Sequence, residues 1–359
     1  MPEPAPKRVT MQEIADRAGV SRTAVSFVLN NTPGVNIPEK TRQRILKAAR
    51  ELNYTPDFAA RTLATGRSHT VAYIVRTAPQ QLALDSLFLS GVLSGVSRAV
   101  MAGGYHLLLY GIASNTPSSF YTNLIRSQRV EGLVISWPAA SDDELYALFD
   151  AGASIVVHGS SGYADIPSVD VDNAASAQQA IQHLIDLGHR VIAHVTNGPL
   201  DHPAAAARAA GYRQALQAAG LPYYPQLTKQ GAYTTESGLI AGRALLAESL
   251  PFTAVFVSGD IVALGVIKAL RERGLRIPQD VSIVGFDDIP LVSYFEPALT
   301  TVRLPAEAIG FEAGNMLIRA IRGEPLTNTH RVLPTELIVR ESTARPAANG
   351  VSRGQLPKS

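Results

Sequence analysis

The sequence contains no cysteine in 359 residues, which excludes disulfides, thiolate metal sites and a thiol nucleophile and agrees with a reducing compartment. No uninterrupted run of about 18 uncharged apolar residues occurs, so no spanning helix is expected. The opening MPEPAPKR lacks the apolar core of a secretory signal, and the expectation is a cytoplasmic protein. No GxGxxG follows the first strand-like run and no GxxxxGK[ST] occurs anywhere, so nothing points to a nucleotide-phosphate cradle and no cofactor is expected. GxSxG and HExxH are also missing, which leaves acyl transfer and zinc hydrolysis without a motif.

What is present is the composition of a folded, water-exposed protein: 46% hydrophobic and 17% charged residues, in a chain long enough for two or three domains. The net charge of +2 is unevenly spread. Through Arg67 there are 11 Lys and Arg against 6 Asp and Glu, and from Ser68 onward 21 against 24. A small basic head on a slightly acidic body is a reason to look for a polyanion partner at the front, although a solvated charged surface would look the same.

Residues 9–30, VTMQEIADRAGVSRTAVSFVLN, set two short apolar-periodic segments around one glycine. Thr10 and Glu13 have the spacing of a capping box, which starts a helix. Ile14, Ala15 and Ala18 fall on one face, and Gly19 supplies the left-handed conformation that ends it. Ser21 can cap a second helix whose inward stripe is Val25, Val28 and Leu29. Two helices joined by a tight glycine turn match a helix-turn-helix, whose second helix lies in the DNA major groove. Arg22 can donate twice to guanine O6 and N7, and Thr23 offers a hydroxyl or a methyl. Ser21 and Ser26 can donate to phosphates. The bland alternative makes Ser21 only a cap and Arg22 only a surface charge. A third helix is expected over 39–52, with Ile45, Ala48, Ala49 and Leu52 inward and Lys40, Arg42, Arg44, Lys47 and Arg50 outward or along phosphates.

VTMQEIADRAGVS, AVS, KTR, LNYTPDFAARTLATGRS and, far downstream, VGFDDIPL resemble the lactose-repressor/galactose-repressor family of bacterial transcription regulators, to about residue 343. The resemblance implies a headpiece over 8–56 and a hinge over 57–67. An effector-binding core would span 68–343, followed by a disordered tail over 344–359. It adds Thr10, Asn30, Tyr54, Arg61 and Leu63 to the DNA contacts. DFAARTLA has too little apolar surface to hold a helix alone. In the family this segment orders on DNA and pairs with its dimer mate in the minor groove, where Leu63 takes the place of a leucine wedge that kinks the duplex. One departure is VNIPEKTR, about two residues longer than the usual turn before the third helix.

From Ser68 the pattern alternates. VAYIV, HLLLY, GLVIS, SIVVH, VIAHV, AVFVS and VSIVGF read as buried parallel strands with helical stretches between them, which argues for doubly wound α/β layers. The resemblance implies a periplasmic-binding-protein-like core of two such subdomains with a ligand cleft between. The chain would cross near Ser168, Val302 and Pro334, giving 68–168 with 303–334 and 169–302 with 335–343. Ligands of such sheets sit beyond the carboxyl ends of the strands. Arg208 aligns with the family arginine that clamps effector hydroxyls, and Asp287 offers an acceptor pair. Tyr233 aligns with a stacking aromatic, Phe88 lies at a lining position, and His158 and Trp137 end strands. Gly259 stands where the family commonly has an asparagine that contacts the effector, with Asp260 beside it. Glycine removes a donor and adds volume, which implies a repositioned or larger ligand, a disaccharide for example.

The expectation is a homodimeric, sugar-controlled regulator, a repressor of carbohydrate-utilisation genes on a pseudo-palindromic operator, at the nucleoid when bound to DNA. The tail ARPAANGVSRGQLPKS has no apolar heptad to make a tetramer. A transport-type sugar-binding protein has no use for the first 67 residues. An enzyme using Asp287 and Asp288 as acid and base is disfavoured, because adjacent side chains usually point apart.

Overall fold

The structure, a computed structural model, describes residues 9–30, 34–55, 62, 66–76, 87–112, 116, 119–138, 142–160 and 164–346. The chain divides into two compact units, Met1–Ser68 and His69–Ser359.

The first unit contains α1 (Met11–Ala18), α2 (Arg22–Leu29) and α3 (Glu39–Glu51). The capping box forms in both directions: Thr10 Oγ1 accepts from the Glu13 amide at 3.3 Å, and the Thr10 amide donates to Glu13 Oε2 at 2.7 Å. Gly19, at φ +63°, ends α1 in the left-handed region that glycine enters without penalty. Ser21 Oγ accepts from the Ala24 amide at 3.2 Å and starts α2. Ile14, Ala15, Val25, Val28, Ile45 and Ala48 are buried together as one small core, with the three faces that the 3.6-residue spacing put inward.

The second unit is built on two six-stranded sheets. The first holds β1 (Thr70–Arg76), β2 (His106–Ile112), β3 (Gly132–Ser136), β4 (Ser154–His158) and β5 (Ser168–Val171), with α4 (Leu87–Ala102), α5 (Phe120–Arg126) and α6 (Asp143–Asp150) between strands. After α7 (Asn173–Asp186) the chain builds the second sheet. Its strands are β6 (Ile192–Val195), β7 (Thr228–Lys229), β8 (Ala254–Val257), β9 (Ser282–Asp287) and β10 (Thr300–Arg303), and its connecting helices are α8 (Pro203–Ala218), α9 (Thr235–Leu246) and α10 (Asp260–Glu272). It then returns to the first subdomain with α11 (Ala306–Ile321) and β11 (His330–Leu333), and ends in the second with β12 (Glu336–Ile338). The strand orders are β11-β5-β4-β3-β1-β2 and β12-β10-β9-β8-β6-β7. All pairs are parallel except β10 with β12. Central strands such as β3 and β8 are buried at every position, as parallel strands covered on both faces must be.

β5 pairs with β4 and β11, so the first crossing, expected near Ser168, lies just beyond Val171. The second follows Arg303, and the third lies at Pro334 and Thr335. The second and third crossings are pinned by charge: Asp288 accepts from Arg303 Nε at 2.8 Å and from Arg340 Nη2 at 2.7 Å, and Arg303 also reaches Glu336 at 3.1 Å. The returning helix α11 lies backbone to backbone on α4, because a Cβ on Gly310 would collide with the Val92 carbonyl and one on Gly95 with the Glu307 carbonyl.

Of the segments expected to be hinge and tail, most of 57–65, including Arg61 and Leu63, and all of 347–359 lie outside the described residues. Ala344, expected in the disordered tail, is instead docked: its amide donates to Ser282 Oγ at 3.0 Å and its carbonyl accepts from Ser282 Oγ at 3.2 Å. Among the described residues no helix is long and apolar enough to cross a membrane.

Candidate functional site

In the first unit, Arg22 and Thr23 stand exposed in the first turn of α2, where the N-terminal residues of a recognition helix meet base edges. Ser21 Oγ is engaged as the cap, so a phosphate contact would share that hydroxyl. Ser26 Oγ accepts from Asn30 Nδ2 at 3.2 Å, which orients both side chains on one surface. Thr10 is occupied in its capping box, and Tyr54 is half-buried against the helical core. On α3, Lys40, Arg44, Lys47 and Arg50 are exposed, as expected, while Arg42 is half-buried and near Glu39.

In the second unit, the carboxyl ends of both sheets converge on Arg208. This residue lies inside α8 and is 4% exposed. Its Nε donates to Asn173 Oδ1 at 2.8 Å, its Nη1 donates to the Ser258 carbonyl at 2.7 Å, and Nη1 lies 3.6 Å from Asp287 Oδ1. The guanidinium sits 3.9 Å above the Phe286 ring, a cation–π contact strengthened by burial. Asn173 is in turn tied to Asp170 at the end of β5, so Arg208 is linked to both subdomains. Burial lowers the guanidinium pKa and Asp287 opposes that shift. The Asp287 carboxyl is raised by burial to about 6, against the pull of Arg208. A buried charge pair with donors left over is a recognition device for neighbouring hydroxyls.

Rings line the remainder. Trp137, after β3, lies 4.7 Å from His158, 6.2 Å from Phe88 and 5.5 Å from His202, measured between centroids. His202 also meets Tyr233 edge to face at 5.7 Å. Trp137 belongs to the first subdomain and His202 to the second, so the rings bridge the cleft. Trp137, Tyr233, Asp287 and Asp288 have φ of +47°, +57°, +117° and +56°. Each such conformation costs a non-glycine residue about 1–3 kcal/mol, and strain of this kind gathers at functional sites. Asn53, His69 and Gln128 share it elsewhere in the chain.

Arg208 and Asp287 are therefore paired, and Phe88, Trp137 and Tyr233 are joined by ring contacts that run through His202. Two expectations need correction. Asp260 is fully buried, and its carboxylate is used up inside the fold: Oδ1 accepts from the Phe286 amide and Thr301 Oγ1, both at 2.8 Å, and Oδ2 from the Ile289 amide at 3.0 Å. It supports the strand that presents Asp287. His158 is 1% exposed, with Nδ1 held by Ser136 Oγ at 3.0 Å and Tyr73 OH at 3.2 Å. Burial lowers its pKa to about 3, so it is a neutral support beneath Trp137. Sequence reasoning did not find Asn173, Asn197 or His202. The latter two sit on the turn-rich stretch NGPLDHP between β6 and α8, and a loop at a strand's carboxyl end was the signal available. Among the described residues no group of three or more His, Asp or Glu is placed to hold a metal.

Residues 10–57 match the family described as bacterial regulatory proteins, lacI family, and residues 181–343 match the periplasmic binding protein-like domain. The chain is 36% identical over 340 residues to the HTH-type transcriptional regulator CelR of Thermobifida fusca, covering 94% of this chain and 98% of that protein. A solved CelR–cellobiose complex superposes with a TM-score of 0.70 at 34% identity, covering 93% of this chain and all of the other. The lac repressor dimer bound to operator and the anti-inducer ONPF superposes at 0.83 with 27% identity, covering 94% and 100%.

Proposed function

The chain belongs to the lacI family of bacterial regulatory proteins, a transcriptional regulator and not an enzyme, and on that premise we propose that it is a cytoplasmic, homodimeric repressor of carbohydrate-utilisation genes. It binds a pseudo-palindromic operator through α2 and the hinge, because two-fold symmetry in the protein imposes matching half-sites. A small sugar in the cleft closes the subdomains, separates the paired hinge segments and lowers operator affinity.

The observation that carries the effector reading is the buried Arg208–Asp287 pair at 3.6 Å, together with the Trp137–His202–Tyr233 ring contacts across the cleft. A planar fork of donors beside an acceptor suits adjacent sugar hydroxyls, and ring faces suit a pyranose. The similar CelR is solved with cellobiose, which supports a β-linked glucose disaccharide as the first sugar to try. Titration calorimetry of the full chain with cellobiose, maltose and glucose tests the reading, and heat from none of them overturns it.

The DNA side has its own test. Replacing Arg22 by alanine is expected to weaken a selected operator by about 1–3 kcal/mol and to relax base preference at one position of each half-site. Lys47→Ala should chiefly flatten the salt dependence, by a slope of about one. Binding curves on selected and random duplexes distinguish the two, and equal loss on both duplexes would assign Arg22 to the backbone.

A further inference from the structure

Two adjacent carboxylates at the end of β9 face different ways. Asp287 turns toward Arg208, 3.6 Å away. Asp288 turns toward the crossings, where Oδ2 accepts from Arg303 Nε at 2.8 Å and Oδ1 from Arg340 Nη2 at 2.7 Å. The Asp288 side chain is 8% exposed, so this carboxylate is screened little by salt. Both residues have positive φ, +117° and +56°, a backbone that costs each of them free energy and persists because surrounding contacts hold it.

Those contacts lie on chain that joins the two subdomains. Arg303 is the last residue of β10, where the second crossing departs, and the Leu304 amide just beyond it donates to the Asp287 carbonyl at 3.2 Å. β12 follows the third crossing and runs antiparallel to β10, with Glu336 opposite Arg303. Arg303 Nη1 donates to Glu336 Oε2 at 3.1 Å. Arg340, beyond β12, also donates through Nη1 to the Leu299 carbonyl at 2.8 Å, just before β10. The second and third crossings thus leave the second subdomain as one stitched ribbon, and Asp288 fastens that ribbon to the turn carrying Asp287.

Closing the cleft moves one subdomain against the other, so the segments that join them must turn. Asp287 is the residue on which effector hydroxyls would pull, and Asp288 grips the ribbon one peptide bond away. Coupling is carried by charged and hydrogen-bonded contacts of this kind. The parallel link from the Leu304 amide is a single neutral bond, weaker than a charge-assisted pair. We infer that Asp288 is a positioning residue which, through Arg303, transmits occupancy of the cleft to the second and third crossings without itself touching the effector. This rests on the sugar-effector reading above.

The test reads the response as well as the binding. Asparagine tolerates left-handed backbone, so Asp288→Asn keeps the turn while setting an amide NH2 against one of the two guanidinium groups. Arg303→Met keeps the stem and removes the charge from a side chain that is nearly half exposed, and Arg303→Lys returns a charge. For the full chain and each variant, calorimetry gives the affinity for cellobiose, with maltose and then glucose used where cellobiose gives no heat. Fluorescence anisotropy gives the affinity for a selected operator duplex with and without that sugar at saturation. The wild type should lose about 5- to 150-fold in operator affinity, and Asp288→Asn and Arg303→Met no more than about twofold. Their sugar affinity, and their operator affinity without sugar, should stay within about threefold of the wild type. Arg303→Lys should recover most of the response. Should Asp288→Asn fail to fold, the two Arg303 variants decide. Variants that respond as the wild type does overturn the inference and leave the sugar reading standing. So does a loss of sugar affinity beyond about tenfold in both Asp288→Asn and Arg303→Met, which would make the network part of the binding site. A wild type whose operator affinity ignores all three sugars overturns both.

Discussion

Arg208→Ala should abolish measurable sugar binding and also make the protein markedly less stable. The guanidinium is almost fully buried, with one donor on Asn173, one on the Ser258 carbonyl and Asp287 at ion-pair distance. Truncating one partner of a buried, hydrogen-bonded charge pair costs about 2–5 kcal/mol in binding, which is roughly thirtyfold to several thousandfold in affinity. Folding stability should fall by about 3–5 kcal/mol, because the Asp287 carboxylate is left uncompensated. Arg208→Lys separates the two effects. It retains the charge and much of the stability but lacks the planar fork, so its sugar affinity should fall nearly as far as that of the alanine variant. Calorimetry with the best-bound sugar and urea denaturation of the same samples check both. An alanine variant that binds sugar like the wild type would remove Arg208 from the clamp.

Asp260→Ala has the largest expected effect on stability alone. Three donors, the Phe286 and Ile289 amides and the Thr301 hydroxyl, lose their only acceptor among these contacts. At about 1–3 kcal/mol for each donor left unpaired, the loss is roughly 3 kcal/mol or more. Asp260→Asn should fall between, since it keeps an oxygen for Phe286 and Thr301 but turns an amide NH2 toward the Ile289 N–H. If Asp260→Ala unfolds at the wild-type urea midpoint and loses only sugar affinity, Asp260 faces the ligand after all.

Asp260 illustrates what a sequence of this kind withholds. An acid beside a glycine at the end of a strand reads equally well as a ligand contact or as a bracket for distant backbone. The amides that decide the matter belong to residues 286 and 289, which no local pattern connects to it. Arg208 and Asp287 were legible because long motifs, RAAGYRQAL and VGFDD, carried them. Asn197 and His202 were not, because a loop has no periodicity.

The fold divides along similar lines. The seven apolar runs became strands because continuous burial on both faces requires continuous apolar sequence. Ser168–Val171, Thr228–Lys229, Thr300–Arg303, His330–Leu333 and Glu336–Ile338 are two to four residues long and partly exposed. Pairing with a neighbour defines them more than their own composition does. In the head, the caps and the inward faces of α1, α2 and α3 were readable residue by residue, because helix ends are set by local side-chain hydrogen bonds.

Ligand occupancy of the cleft is held to govern DNA binding, and fluorescence anisotropy on a labelled operator duplex, with and without saturating sugar, addresses that coupling. Operator affinity should fall by about 5- to 150-fold when the sugar is present, the range of ordinary allosteric coupling. An affinity that stays the same at every sugar concentration, or no binding to duplex DNA in its absence, would contradict it.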